Sequence, residues 1–348
     1  MRGERNSNPE KTLALSILRQ QFERKNMKIG DIELNGNVIL GPMAGVTSLA
    51  YREFMKPFGV ALSYSEMISD CGIAYGNQRT FEYLKTSKID SPVGLQLFGS
   101  DIKNTAKAIE IVQNIAKYDV LDINLGCPVH KVIKTGAGSA LPRDLAKLRE
   151  YMAEVVKVSE KPVTAKIRLG WDDRSINVFE VSKILEEVGV KAIAVHCRTK
   201  EQGYAGKADY SKIAGLKETL SIPLIVSGDI FTLDDAIRSV NETHADGVMV
   251  ARGGIGNPYL VTQIDHYFKT GEKLPDQGTD MQIEYARRFA SSLIELKGEA
   301  HAIAELRGIL PHFFSGFPGY KKIRLALATN MKSAEDMEAI FQGIDIHG

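Results

Sequence analysis

The sequence predicts an α/β protein built as a (β/α)8 TIM barrel that is followed by a small C-terminal helical-bundle domain. Eight short runs rich in Val, Ile and Leu alternate with segments of helical periodicity. Each run is continuously apolar, which is typical of parallel strands that are buried on both faces. After residue 280 only helical periodicity remains, and it indicates four short helices.

Order along the chain supports the barrel. The predicted strands lie at residues 38–41, 60–66, 93–98, 120–125, 162–168, 191–196, 223–227 and 246–251. Helices are predicted at 101–117, 142–158 and 231–241, with Asp101 and Thr232 as N-caps. An open doubly wound sheet is the alternative, but it usually has fewer strands and a Gly-x-Gly-x-x-Gly turn after the first strand. This chain has GPMAGVTS there instead.

The pattern divides the chain into three parts. Residues 1–28 are an N-terminal extension that is either an amphipathic helix or disordered. Residues 29–270 are the predicted barrel. Residues 271–348 begin with a polar Gly/Pro linker and continue as the predicted helices.

The charge is balanced in sum but uneven along the chain. With 44 Lys and Arg against 43 Asp and Glu, the 348 residues carry a formal charge of +1. Nucleic-acid binders usually show a basic excess. However, residues 306–334 contain five basic residues and no acidic one, and residues 128–143 contain three and none. The sequence therefore predicts one basic face on a nearly neutral protein.

Composition also argues against several classes of protein. No apolar stretch is long enough for a transmembrane helix, and the first residues lack the apolar region of a secretory signal. Three cysteines that are far apart, with no C-x-x-C, argue against a disulfide framework and against a metal site. We expect a cytoplasmic protein with no membrane contact.

Unusual residues gather at the ends of the predicted strands, where a barrel of this type carries its chemistry. Lys166 and Gln96 interrupt apolar runs, and a lysine inside a barrel strand is costly unless it is paired or faces a ligand. Lys166 is either a Schiff-base lysine or a donor to an electron-rich cofactor ring. Strand alternation places His196 at the mouth and packs Cys197 on the opposite face.

Glycines at the last two strands suggest a phosphate site. Ser227-Gly228-Asp229 and Ala251-Arg252 are each followed by a predicted helix, and free backbone N–H groups there favour an anion. The alternative is that these glycines only make tight turns.

Cys127 lies in Asn-Leu-Gly-Cys-Pro just after the fourth strand, at the start of a long loop that carries Lys131 and Lys134. Such a thiol is a nucleophile, a general acid or an unreactive loop residue.

These motifs together resemble one family. LGPMAGVTSLAYRE, SEMIS, LQLFGSD, DINLGCPVHKVIKTGAGSAL, AKIRLGWDD, VHCRTKEQGYAGKADY, VSGDI and ARGGIGNP occur in the order found in tRNA-dihydrouridine synthases, most like the bacterial B-type. The resemblance spans residues 29–345. It implies an FMN-binding barrel, a helical RNA-binding domain, NADPH as reductant, tRNA as substrate and a monomer.

The resemblance also implies roles for single residues. Cys127 matches the general acid that protonates C5 of a uracil ring while reduced FMN gives hydride to C6. The target uridine must leave its RNA stack to reach the flavin. The residues matched to FMN binding are Gly41, Pro42, Met43, Gln96, Asn124, Lys166, His196, Ser227, Gly228, Asp229, Ala251 and Arg252. The expected RNA contacts are Lys131, Lys134, Arg198, Tyr204, Arg307, Lys321, Lys322 and Arg324.

The chain departs from the family pattern at a few positions. Gly41 stands where relatives carry Ala, Ser227 where they carry Asn, and Ala251 where they carry Gly. Arg307-Gly308-Ile309 replaces a common Arg-Lys-His, which puts the local RNA contact in doubt. Two other functions stay open: a flavin oxidoreductase of free pyrimidines, resembling dihydroorotate dehydrogenases, and an RNA-binding scaffold without catalysis.

Overall fold

Eight parallel strands close into a barrel in a computed structural model that describes residues 26–344. The prediction for residues 1–25 lies outside the described residues. Around the barrel the strand order is β10-β3-β4-β5-β6-β7-β8-β9, and a two-stranded hairpin precedes it. The strands are β1 (Lys28–Ile29), β2 (Ile32–Glu33), β3 (Val38–Leu40), β4 (Leu62–Ser69), β5 (Val93–Phe98), β6 (Val120–Leu125), β7 (Val163–Arg168), β8 (Ala192–His196), β9 (Leu224–Ser227) and β10 (Gly247–Val250).

All eight predicted barrel strands are confirmed, with bounds that differ by a few residues. The largest difference is in β4, which continues to Ser69 beyond the predicted end at residue 66. Its register against β5 shifts between Tyr64 and Met67. A shift of this kind re-aims the side chains that follow it, and Met67 then lies beside the barrel mouth.

Helices surround the barrel and follow it. They are α1 (Leu49–Met55), α2 (Asp70–Ala74), α3 (Gln78–Phe81), α4 (Ile102–Ile115), α5 (His130–Ile133), α6 (Leu145–Val158), α7 (Val178–Glu187), α8 (Leu233–Thr243), α9 (Tyr259–Thr270), α10 (Thr279–Lys297), α11 (Glu299–Ile309), α12 (Tyr320–Thr329) and α13 (Ala334–Gln342). The N-caps predicted at Asp101 and Thr232 are confirmed, because each side chain accepts a backbone N–H of the first helical turn. Among the described residues, the segment between β8 and β9 has no α-helix and forms two short 3-10 turns instead.

The N-terminal hairpin closes one end of the barrel. Ile29 and Leu34 are fully buried and pack against inward-facing strand residues such as Ile39, Tyr64 and Met249. The neighbours of Ile39 on β3 belong instead to the core between barrel and helices, as strand alternation requires. Because this end is filled, a ligand can enter only at the carboxyl ends of the strands.

The C-terminal helices pack beside that open end. Phe289 of α10 lies 5.7 Å from Tyr51 and 5.4 Å from Phe54 of α1, measured between ring centroids. Tyr51 also donates a hydrogen bond to the carbonyl of Gly254, which follows the last barrel strand. Each aromatic pair adds about 1 kcal/mol to the burial of its rings, so the helices are held next to the mouth. None of the helices within residues 26–344 has the length and apolarity needed to cross a membrane.

Candidate active site at the barrel mouth

Most of the residues predicted to form a site meet at the carboxyl ends of the strands. They line one cavity there together with the Tyr204 side chain. The predicted residues that line it are Pro42, Met43, Lys166, His196, Ser227, Gly228, Asp229, Ala251 and Arg252. Gly41 lies one residue deeper, where its N–H donates to the carbonyl of Val250. Gln96, Asn124 and Cys127 lie on the adjacent strands β5 and β6 and the turn after β6.

A chain of hydrogen bonds links the strands to the Cys127 turn. Gln96 Nε2 donates to Asp122 at 2.6 Å, and Asn124 Nδ2 donates to Gln96 Oε1 at 2.8 Å. Asn124 Oδ1 then accepts the backbone N–H groups of Gly126 at 3.1 Å and Cys127 at 2.8 Å. All these side chains are buried, so the bonds are made in a low local dielectric and fix the turn firmly. Gln96 keeps a second N–H for a ligand, whereas Asn124 Nδ2 also donates to the Met67 sulfur at 3.8 Å.

Asp122 anchors this chain from inside the barrel. It also accepts the hydroxyl of Thr164 at 2.6 Å. Burial raises the pKa of Asp122 to about 6, although the hydrogen bonds from Gln96 and Thr164 and the charge of Lys166 oppose the rise. Asp122 is therefore an ionised acceptor at neutral pH, and it orients Gln96 by accepting rather than donating.

The Cys127 thiol is enclosed by its own loop. Its side chain is 9% exposed and packs against Val132 and Ala137. Gly138 has φ +59°, and a Cβ there would lie 2.8 Å from the Cys127 carbonyl oxygen, so only glycine fits. Burial raises the pKa of the Cys127 thiol, against the charges of Arg168 and Lys166. The thiol thus holds its proton at neutral pH, as an acid requires and a thiolate nucleophile does not.

The segment after Cys127 was predicted as one long loop, and the structure places short helical elements within it. It contains the short helix α5 and a 3-10 helix at Gly138–Arg143. A hydrogen bond from Ser139 N to the Cys127 carbonyl closes it on itself, and one from Ser100 Oγ to the Thr135 carbonyl ties it to the segment after β5.

Arg168 is a site residue that sequence reasoning left without a role. Its Nε donates to the Gly126 carbonyl at 2.8 Å, and its Nη1 donates to the carbonyls of Thr199 and Gly203, both at 2.9 Å. Burial lowers the pKa of Arg168 to about 10, which still leaves it charged at neutral pH. It joins the Cys127 turn to the loop after β8.

Lys166 presents an unpaired ammonium group to the mouth. No residue in the range 26–344 accepts a hydrogen bond or forms an ion pair with its Nζ. Burial and the neighbouring Arg168 lower the pKa of Lys166 to about 8, whereas Asp122 opposes that shift. A buried cation without an acceptor is stabilised by a ligand that brings negative charge.

His196 faces the same cavity, as strand alternation predicts, and Cys197 is fully buried behind it. Burial, then Lys166 and the nearby arginines, lower the pKa of His196 well below its usual value. The imidazole is therefore neutral at pH 7 and offers one donor and one acceptor.

The turns after β9 and β10 leave their backbone exposed to a ligand. Gly228 has φ +122°, and a Cβ there would lie 2.8 Å from the Ala208 side chain. At Gly253 a Cβ would lie 1.9 Å from the Ile230 carbonyl. Both positions therefore require glycine, and Arg252 lies between them at the cavity wall. Backbone N–H groups and a guanidinium in this arrangement suit a phosphate.

Asp229 holds two arginines in place. Its carboxylate accepts Arg198 Nη2 at 2.5 Å, Arg252 Nη2 at 3.2 Å and the backbone N–H of Ala208 at 2.8 Å. Arg198 is only 1% exposed and also donates to the Gly206 carbonyl at 2.7 Å. The RNA contact expected at Arg198 stays a prediction, and in this structure its side chain bonds to Asp229 and to the loop after β8.

The other expected RNA contacts lie at the surface. Tyr204 is 60% exposed, and the Arg252 guanidinium lies 4.4 Å from its ring centroid. Arg307 is exposed but donates to the Met331 carbonyl at 2.9 Å. The remaining exposed members are Lys131 and Lys134 at α5 and Lys321, Lys322 and Arg324 on α12. Within residues 26–344 no group of three or more His, Cys, Asp or Glu residues is arranged to hold a metal ion.

Solved structures of other enzymes share the barrel. The chain superposes on 6-hydroxypseudooxynicotine amine oxidase from Pseudomonas geniculata with a TM-score of 0.55 and 14% identity, over 72% of this chain and 50% of that one. Histamine dehydrogenase from Rhizobium sp. 4-9 gives a TM-score of 0.54 and 13% identity, over 79% and 51%. The chain spans about half the length of these proteins, and the likeness concerns the fold.

Sequence comparison is more specific. The family model described as dihydrouridine synthase matches residues 39–345. A probable tRNA-dihydrouridine synthase of Rickettsia bellii is 36% identical over 86% of this chain and 92% of its own. The tRNA-dihydrouridine synthase B of Pseudomonas putida is 34% identical over 90% and 91%. With a family model over most of its length and relatives of this similarity, the chain belongs to the dihydrouridine synthase family.

Proposed function

We propose that the protein reduces uridines of tRNA to 5,6-dihydrouridine, with FMN bound at the barrel mouth and Cys127 as the proton donor. The observation that carries this proposal is the protonated, enclosed thiol of Cys127, which follows β6, the strand that pairs with the Lys166 strand β7. The names of the relatives support the reaction, since they are tRNA-dihydrouridine synthases.

The residues at the mouth fit FMN in their donor chemistry. The glycine turns at Gly228 and Gly253, with Arg252 between them, would hold the phosphate. Lys166 and the free amide hydrogen of Gln96 would face the polar edge of the ring, and Asn124 would exchange its weak bond to the Met67 sulfur for one to the ring. Met43 would give it an apolar contact. The enclosed space of about 70 Å³ suits a phosphate-sized group, so a ring system would lie in the open part of the mouth.

When bound, FMN supplies a hydride to C6 of the uracil ring after it has itself been reduced by NADPH. Negative charge then builds toward C5, and the Cys127 thiol delivers a proton there. Asn124 and Arg168 position the turn that carries the thiol. Proton transfer from a positioned acid contributes about 10²–10⁴ in rate.

Lys166 acts by electrostatics. Its ammonium would offset negative charge on the reduced ring, and this interaction is stronger than in water because the mouth is largely desolvated. Neutral His196 would add a hydrogen bond without adding a second cation. The Schiff-base role for Lys166 finds no support in a reaction that reduces a C=C bond.

Basic residues outside the mouth would hold the RNA. Lys131 and Lys134 lie at α5, next to the Cys127 turn, and the α12 side chains of Lys321, Lys322 and Arg324 are exposed. In this proposal residues 271–348 bind the tRNA while the target base is extruded into the mouth. A reductase of free pyrimidines has no use for this cationic helix.

The test compares RNA with a free pyrimidine. Purified protein is examined for flavin absorbance near about 450 nm, and then incubated with NADPH and either an unmodified tRNA transcript or uridine monophosphate. We expect bound flavin and dihydrouridine in the transcript alone, as detected by mass spectrometry. Reduction of the monophosphate as efficiently as the transcript, or a protein that takes up no FMN, contradicts the proposal.

A further inference from the structure

A second cavity opens on the other side of the Cys127 turn and is not used by the reaction as described. It measures about 370 Å³ and lies between the 3-10 helix after Cys127 and the loop after β7. We call it the Trp171 cavity. Its lining residues include Leu125, Ser139, Arg143, Arg168 and Trp171.

Ser139 is the strongest indication that the Trp171 cavity takes a ligand. Its side chain is 6% exposed, and its Oγ has no hydrogen-bond partner among residues 26–344. A buried hydroxyl without a partner costs about 1–3 kcal/mol. A ligand with an acceptor oxygen would remove that cost by accepting the Ser139 hydroxyl.

The charge of the cavity favours an anion. Arg143 and Arg168 are among its lining residues, and Asp172 is the only acidic residue among those that line it within the described range. The Asp172 carboxylate already accepts the Arg174 N–H and the Ser175 hydroxyl, both at 2.9 Å. Arg168 uses Nε and Nη1 for three carbonyls, whereas its Nη2 has no partner in residues 26–344.

Trp171 adds an aromatic surface to this cationic wall. The Arg143 guanidinium lies 4.3 Å from its ring centroid, and the Lys200 ammonium lies 4.1 Å from it. Arg143 is exposed at the surface, so it can leave the ring to meet a phosphate while a base stacks on the indole. Cations beside an aromatic ring are the combination that binds single-stranded nucleic acid.

The position of the cavity selects which nucleotide would occupy it. Ser139 N donates to the Cys127 carbonyl at 3.1 Å, and Arg168 Nε donates to the Gly126 carbonyl at 2.8 Å. The cavity therefore shares its wall with the turn that carries the proton donor. An extruded uridine that meets Cys127 brings its neighbours along the strand to this wall, because they are covalently joined to it.

We propose that the Trp171 cavity binds a phosphate and the adjoining base of the RNA strand directly next to the uridine that is reduced. This inference rests on the proposed function and deepens it: the cavity would hold the strand while the target base lies in the mouth. The chemistry that is recognised is a nucleotide phosphate, with Ser139 and Arg143 as donors and Trp171 as the stacking surface.

Ser139→Ala tests the buried donor, with Ser182→Ala as its matched control. The Ser182 hydroxyl is also fully buried and without a partner in residues 26–344, but it lies on α7 and does not line the cavity. We expect both variants to melt at or above the wild-type temperature. Ser139→Ala alone should weaken binding of an unmodified tRNA transcript, by about tenfold.

Arg143→Gln tests the phosphate. Binding of the same transcript is measured across a salt series. We expect a loss of about tenfold at low salt and a salt slope smaller by about one. Flavin content should equal that of the wild type, since Arg143 does not line the cavity at the barrel mouth.

A nucleotide phosphate in this cavity could belong to the RNA or to NADPH. Reduction of the flavin by NADPH, followed without RNA, distinguishes the two. We expect wild-type rates for Ser139→Ala and Arg143→Gln. If these variants bind RNA normally but are reduced slowly by NADPH, the cavity serves the dinucleotide and the RNA assignment is overturned. If neither RNA binding nor flavin reduction changes in these variants, the RNA assignment of the cavity is also overturned. Wild-type protein that makes no dihydrouridine refutes the proposed function itself.

Discussion

Asn124 accepts the backbone N–H of Cys127 at 2.8 Å, so a residue inside strand β6 fixes the turn that presents the thiol. The same side chain donates to Gln96 at 2.8 Å, and Gln96 donates to buried Asp122 at 2.6 Å. The position of the Cys127 thiol is therefore set from within the barrel.

Asn124→Ala should release the Cys127 turn. The variant leaves two N–H groups without their acceptor, and the thiol then loses its alignment. We expect dihydrouridine formation to slow by about 10–100-fold, because small misplacements of a catalytic group cost rates of this size. Single-turnover assays with pre-reduced enzyme measure it.

The control is Asn114→Ala, which removes only an exposed side-chain bond to the Glu110 carbonyl on α4. It should leave the rate unchanged. Equal rates for Asn124→Ala and wild type, at equal flavin content, would show that Asn124 does not position the acid.

Lys166→Met should stabilise the flavin-free protein while abolishing tight flavin binding. In the folded state the pKa of Lys166 is about 8, below its usual 10.5. The unfolded chain thus binds more protons between these values, so the folded wild type gains stability as pH rises through them. Below pH 8 the charged lysine destabilises the fold fully, by roughly 3 kcal/mol.

Thermal melts of flavin-free wild type and Lys166→Met from pH 7 to 10 test the direction of this pH dependence. Lys166→Met should melt higher at pH 7, and the difference should shrink toward pH 10. A difference that is constant or grows with pH contradicts the assigned charge state.

A polar residue that interrupts an apolar strand predicts a side chain at the barrel mouth. Lys166 and Gln96 are predicted in this way, and Cys127 is predicted from its stiff turn. Ser139 and Arg168 were not assigned roles, because their significance depends on loops that meet only in the folded chain. A sequence also does not distinguish an exposed arginine from one buried against an aspartate, as Arg198 is against Asp229.

Short elements of secondary structure cannot be predicted from the sequence pattern for a related reason. The hairpin β1–β2 has two residues in each strand, too few for a periodic signal, yet it fills the closed end of the barrel. The helix α5 has four residues and was read as part of a long loop. Strand β4 continues beyond its predicted end. Its last residues pair with β5 after a register shift, and the hydrophobic pattern does not predict such a shift.

Asp229→Asn should destabilise the fold as well as the phosphate turn. Arg198 is 2% exposed in its ion pair with Asp229, and removing one partner of a buried pair costs about 3–5 kcal/mol. Chemical denaturation measures the loss. Glu187→Gln, which breaks the exposed pair with Arg149, serves as the control and should cost less than about 1 kcal/mol. Similar losses of unfolding free energy in both variants would show that Asp229 does not anchor Arg198.

Removing the positive charges of α12 should weaken RNA binding without lowering the flavin content. We expect the triple change of Lys321, Lys322 and Arg324 to Gln to lower the salt slope of tRNA binding by about two to three. Filter binding across a salt series measures it. The control triple is Lys157, Lys161 and Lys191, which lie toward the opposite end of the barrel. Equal slopes in the two triples would exclude α12 from the RNA interface.

The central claim is that the Cys127 thiol protonates the uracil ring, and Cys127→Ala tests it most directly. Pre-reduced wild type and variant are each mixed with excess unmodified tRNA transcript, and dihydrouridine is quantified over time by mass spectrometry. The account predicts a rate lower by about 10²–10⁴ for the variant, at equal flavin content and equal tRNA affinity. Dihydrouridine formation by Cys127→Ala at the wild-type rate would contradict it.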